Sequence, residues 1–129
     1  MTLHDYFETT RGTGVLATTS AAGQVDAAIY ARPHVLDENR VAFIMADRLS
    51  HRNLQSNPRA AFLYVEAGEG YRGRRLQLTK VSEAADPVRI ETLRREGLPE
   101  ECRIDTEARY VVEFRIDGVR PLVGNGQKT

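Results

Sequence analysis

Between residues 14 and 83 the chain alternates short β-favouring runs with clusters of turn formers, and most of these gaps are too short for a crossover helix. Residues 14–19 are followed by the turn Ser20-Ala21-Ala22-Gly23-Gln24, and residues 25–32 return as a second strand. Residues 34–36 and 41–46 flank the turn Asp37-Glu38-Asn39-Arg40, while 60–66 and 71–83 flank Ala67-Gly68-Glu69-Gly70. A parallel neighbour needs a connection of about a dozen residues or more, so this punctuation specifies antiparallel hairpins. Residues 110–116 give a final strand, and Asp117-Gly118 reads as a turn into 119–123. Six or seven strands in hairpin order predict a mainly β fold with accessory helices, an antiparallel barrel of Greek-key type.

Helices interrupt the pattern at three places. Thr2 followed by Asp5 is a helix start, with Leu3, Tyr6 and Phe7 on one face and Gly12 and Gly14 as its stop. Ser50 can cap a second helix that Pro58 prevents from continuing. Asp86-Pro87 opens a third, with Ile90 and Leu93 as its inward stripe and Gly97 as its end. In the strand from 25 to 32, Val25, Ala27, Ile29 and Ala31 share one face and Asp26, Ala28, Tyr30 and Arg32 the other, so one face is buried and the other functional or exposed.

The 129 residues fit one domain, expected to span 1–129, and 41% apolar with 28% charged residues is ordinary globular usage. Eighteen basic and eighteen acidic residues cancel, which argues against nucleic acid as a partner and makes any anion site local. The run Tyr71-Arg72-Gly73-Arg74-Arg75 then reads as an exposed strand or a subunit rim. Cys102 is the only cysteine, with no nucleophile motif around it, and a cytoplasmic protein is the simple expectation. His4, Asp5 and Glu8 stand where a signal peptide would be basic and then apolar, and no apolar run approaches the roughly 20 residues of a membrane span. The histidines match no ligand spacing, so no metal is expected.

The GxGxxG spacing occurs once, at Gly68-Glu69-Gly70-Tyr71-Arg72-Gly73, but in a turn between two β-favouring runs with no helix opening after it, and GxxxxGK[ST] does not occur, so a bound nucleotide would need another device. Residues 48–53, Arg-Leu-Ser-His-Arg-Asn, lie between an apolar strand and the second helix. Backbone N–H groups at a helix start, a hydroxyl and the forks of Arg48 and Arg52 make an anion cradle. The same residues also describe a capped surface helix with solvated arginines.

The order Tyr30-Ala31-Arg32-Pro33-His34, then Val41-Ala42-Phe43-Ile44-Met45-Ala46, then 48–53, then Asn57-Pro58-Arg59 resembles the pyridoxamine 5′-phosphate oxidase-like family of FMN-binding split barrels. The resemblance covers residues 10–83. It implies a homodimer with FMN at the subunit interface, Ala28, Tyr30 and Arg32 along the flavin from one strand, and Phe43, Ile44 and Met45 from the next. Arg48, Ser50, His51 and Arg52 would surround the phosphate, with Leu49-Ser50 standing where the family often has basic residues or a Lys-Thr pair. The vitamin-forming oxidases of the family carry a carboxy-terminal segment with Trp and Arg, and this chain has no Trp. The resemblance therefore implies an FMN-dependent oxidoreductase or electron carrier with a small-molecule or protein redox partner. The alternative it leaves is a non-catalytic flavin or haem carrier, and relatives of the fold also bind deazaflavin.

Overall fold

The computed structural model describes residues 1–97 and 110–124; Cys102 lies outside the described residues. Helix α1 (Leu3–Thr9) leads into strands β1 (Gly12–Thr19), β2 (Val25–Tyr30), β3 (His34–Asp37) and β4 (Arg40–Met45). Helix α2 (Leu49–Ser56) separates them from β5 (Arg59–Glu66) and β6 (Gly73–Ala84), and α3 (Pro87–Gly97) precedes β7 (Tyr110–Pro121). The seven strands form one antiparallel sheet in the order β2-β1-β5-β6-β7-β4-β3.

The sheet rolls up because its inward residues are large and apolar. Leu16, Phe62, Tyr64, Leu76, Leu78, Val112, Phe114, Val41, Phe43 and Met45 are each at most 3% exposed and form one core. Tyr30, on the strand at one end of the sheet, meets Phe43, one strand from the other end, edge to face at 5.9 Å, so the two ends approach without pairing. That is a split barrel. Burying a Phe or Leu side chain contributes about 1.5 to 3 kcal/mol, so the ten core residues carry most of the stabilisation.

Helix α1 plugs one end of the barrel. Thr2 Oγ1 accepts from the Asp5 N–H at 3.1 Å, as the sequence predicts, and Tyr6 and Phe7 are buried. Gly12 and Gly14, however, lie inside β1 rather than stopping the helix. A Cβ on Gly14 would stand 2.4 Å from the Tyr30 carbonyl oxygen and 2.5 Å from the Phe62 ring, so close packing, not a turn, requires glycine there.

Residues 110–121 are one strand, and Asp117-Gly118 is not a turn. Gln77 pairs with Gly118 and Leu78 with Ile116, leaving Asp117 as the extra residue of a bulge. Its carboxylate takes hydrogen bonds from Thr79 Oγ1 and, at 2.7 Å, from Arg115 Nε. In β2 the more apolar face is the outer one: Val25 is 81% and Ile29 57% exposed, while Asp26, Ala28 and Tyr30 are half-buried toward the barrel. Helix α3 begins as the sequence predicts, with Asp86 Oδ1 accepting from the Arg89 N–H at 3.1 Å, and Ile90 and Leu93 cover Ala42 and Val111. No helix among the described residues is long and apolar enough to cross a membrane.

Candidate functional site

The loop Ala46-Asp47-Arg48 turns the buried strand β4 into α2, and the site is built at that turn. Arg48 is the N-cap and Leu49 the first helical residue, so Ser50 lies inside the first turn, 3% exposed, and is not the cap. No side-chain cap bond replaces it. The first intrahelical bond runs from the Arg52 N–H to the Arg48 carbonyl at 3.0 Å, which places the N–H groups of Leu49, Ser50 and His51 ahead of the ladder. They add the positive end of a macrodipole of roughly half a charge to the exposed guanidiniums of Arg48 and Arg52. Asp47 opposes them, with Oδ1 at 3.9 Å from Arg52 Nε.

Helix α2 is pinned from below. Asn53 Nδ2 donates to Thr18 Oγ1 on β1 at 3.0 Å, and Leu54 joins the core. The segment Asn57-Pro58-Arg59 ends the helix: Asn57 Oδ1 accepts from the Arg59 N–H at 3.0 Å, and the Pro58 carbonyl accepts from the Lys80 N–H at 2.7 Å.

His51 is the centre of a polar group that local sequence does not reveal. Its ring stacks on Tyr110, and Nε2 lies 3.1 Å from Glu83 Oε2. Glu83 also receives Gln55 Nε2 at 2.8 Å and the Lys80 ammonium. Burial pushes the Glu83 carboxyl up, but the hydrogen bonds from Gln55, Lys80 and His51 outweigh it and hold it down at about 2. Nδ1 of His51 is buried with no hydrogen-bond partner, 3.6 Å from Asp47 Oδ1. Glu83 and Tyr110 stand 32 and 59 positions after His51, and no motif or period links them; only the β6–β7 pairing beside α2 does.

The remaining predicted residues fall elsewhere. Phe43 and Met45 point into the core, and Ile44 packs on the opposite side toward α3. Ala28 and Tyr30 face inward from β2, half-buried. Arg32 donates to the Phe7 carbonyl and lies 3.7 Å from Glu8, which ties the chain after β2 to the end of α1. The structure thus brings Arg48, Ser50, His51 and Arg52 together at one helix start and leaves the strand residues to the barrel wall.

No protein-family model matches the sequence, and no curated protein sequence matches it. Solved structures match over nearly the whole chain. An FMN-binding protein from Syntrophomonas wolfei superposes with a TM-score of 0.75 at 10% identity, covering 94% of this chain and 84% of that one. A protein of the pyridoxinephosphate oxidase family from Clostridium acetobutylicum, related to general stress protein 26, gives 0.62 at 13% identity, covering 89% and 81%. HutZ, the haem storage protein of Vibrio cholerae, gives 0.62 at 18% identity, covering 98% and 100%. The fold is the split barrel of the pyridoxamine 5′-phosphate oxidase-like proteins.

Proposed function

We propose that this split barrel binds flavin mononucleotide, with the phosphate against the start of α2, and works as a homodimeric redox protein. The observation that carries the reading is the donor set at that turn: three N–H groups ahead of the helical ladder, flanked by two arginines, in a fold shared with an FMN-binding protein. These groups fit a phosphate monoester in number and charge. When bound, the isoalloxazine would supply the hydride or electron chemistry, and the chain's part is to position it. Arg48 and Arg52 would hold the phosphate, and the strands β2 and β4 would offer the ring backbone and the half-buried Ala28 and Tyr30 rather than Phe43 or Met45 side chains.

The outer face of β2, β1 and β5 supports the dimer. Ile29, Val15 and Leu63 form one row across it, Ala27, Ala17 and Ala61 the next, and Val25 extends the edge. A contiguous apolar sheet face on an edge strand is a surface that association would cover.

Storage or transfer of haem is the second reading, since HutZ has the same fold. The rings of His34 and His51 each bury a nitrogen with no partner, whereas an axial ligand must reach the iron; of the three histidines, His4 alone is exposed. An absorbance spectrum of the purified protein tests the choice. A flavin band supports the proposal, and a Soret band in its place overturns it.

A further inference from the structure

Helix α2 begins with no side-chain cap bond and no acidic residue in its first turn. A helix start without a cap frays, yet the donors offered to the phosphate are the N–H groups of that turn, and one of them belongs to His51. What holds the turn comes from the sheet. Asn53 and Leu54 fasten the next turn to β1 and the core, and His51 fastens the first. Its buried ring stacks on Tyr110 of β7 with planes 8° apart, and Nε2 lies 3.1 Å from Glu83 Oε2 of β6. Gln55, one turn further along, lies 3.2 Å from the same ring nitrogen and donates to Glu83 Oε1 at 2.8 Å and to the His51 carbonyl at 3.1 Å. Lys80 also donates to Glu83 Oε1, and Asp47 Oδ1 stands 3.6 Å from Nδ1 on the other side of the ring. One carboxylate thus gathers Lys80 and two residues of α2.

A bulge aims Glu83 at this turn. Lys80 and Glu83 are three positions apart, and in a regular strand an odd spacing puts two side chains on opposite faces. Here Lys80 pairs with Phe114 and Ser82 with Glu113, consecutive residues of β7, so Val81 is the extra residue of a bulge and Glu83 comes round to the side of Lys80. As a charge, Glu83 opposes an anion at the start of α2; as an acceptor, it holds the turn. We propose that Glu83 is a positioning residue for the anion site: by holding His51 and Gln55 against β6 it takes the place of the missing cap and leaves the N–H groups of Leu49, Ser50 and His51 to a phosphate. A side-chain cap would occupy one of those donors, whereas a hold from the flank occupies none. The role rests on the phosphate placement proposed above.

The ratio of FMN to riboflavin affinity in wild type, Glu83→Ala and Gln55→Ala, read by fluorescence titration of flavin-free protein in a buffer free of phosphate, tests this role. A loss of stability alone weakens both ligands by the same folded fraction and cancels in the ratio. Loss of the Glu83 charge alone raises the ratio, since it removes a repulsion of the phosphate. Positioning predicts the opposite sign: in Glu83→Ala the ratio should fall by about 5-fold or more, the equivalent of one hydrogen bond to the phosphate. Gln55→Ala, at an exposed helix position, removes the amide that joins Glu83 to the helix. It should lower the ratio by a smaller factor, and it decides the matter if Glu83→Ala does not fold. A wild type that prefers FMN, with the ratio unchanged or raised in the variants, overturns the role of Glu83 alone. Equal binding of FMN and riboflavin by the wild type overturns the phosphate placement, and the role with it.

Discussion

The imidazole of His51 lies flat on the phenol of Tyr110, with ring centroids 4.0 Å apart and planes 8° from parallel. Tyr110 is the first residue of β7 and pairs with Met45 of β4, so the stack ties the start of α2 to the two strands that bury its neighbours. Aromatic pairs contribute about 0.5 to 1.5 kcal/mol beyond area burial. Tyr110→Ala should therefore cost about 2 to 4 kcal/mol, the stack plus the cavity, in a urea unfolding midpoint. Tyr110→Phe keeps the ring and should stay within about 0.5 kcal/mol of wild type.

Arg48 and Ser50 should separate ligand binding from folding. Arg48→Ala removes a charge-assisted contact of about 1.5 to 3 kcal/mol, or about 10- to 150-fold in FMN affinity, with the flavin-free melting temperature nearly unchanged. Ser50 makes no cap bond here, so Ser50→Ala should cost little stability, within about 0.5 kcal/mol. Paired melting curves with and without saturating FMN distinguish the two effects, because only the ligand-dependent increment should fall in Arg48→Ala.

His34 should make the fold sensitive to mild acid. Burial, and then the charge of Arg32, lower its pKa from the ordinary 6.5 to about 4, and its Nε2 is buried without a partner. A histidine kept neutral in the fold binds fewer protons than in the unfolded chain between those values. Its stabilising term is present above 6.5 and declines as pH falls toward 4. About 2 kcal/mol should be lost between pH 7 and pH 5 in urea midpoints, and His34→Gln should flatten that slope. An unchanged slope in the variant would place the acid sensitivity elsewhere.

The outer face of β2 should hold the subunits together. Ile29→Lys puts a charge in the middle of the row Ile29, Val15, Leu63 and should convert a particle of about twice 14.5 kDa into one of 14.5 kDa in sedimentation. A wild type that sediments as a monomer would remove the dimer from the account.

The first three hairpins and the capped starts of α1 and α3 could be read from the sequence because period and turn chemistry are local. Asp117-Gly118 misleads because a bulge uses the same residue types as a turn, and only the register of β6 against β7 tells them apart. In β2, hydropathy alone points to Val25, Ala27 and Ile29 as the buried face, yet Tyr30 turns the other face inward by meeting Phe43 across the barrel. At the site, Arg48, Ser50, His51 and Arg52 fall within five consecutive positions and so are legible together. Asp47 is their neighbour in sequence, but its significance comes from facing His51 Nδ1, and Glu83 and Tyr110 reach the ring through sheet pairing between distant strands.

A fluorescence titration of flavin-free protein with FMN and with riboflavin, in the same buffer free of phosphate, tests the phosphate site at the start of α2. The two ligands share the isoalloxazine and ribityl chain and differ only in the phosphate, so the ratio of their affinities isolates the cradle. FMN should bind tighter by about 10-fold or more, with the preference reduced in Arg48→Ala. Equal affinities for FMN and riboflavin in the wild type would contradict it, leaving residues 48–52 as the surface start of a helix and nothing more.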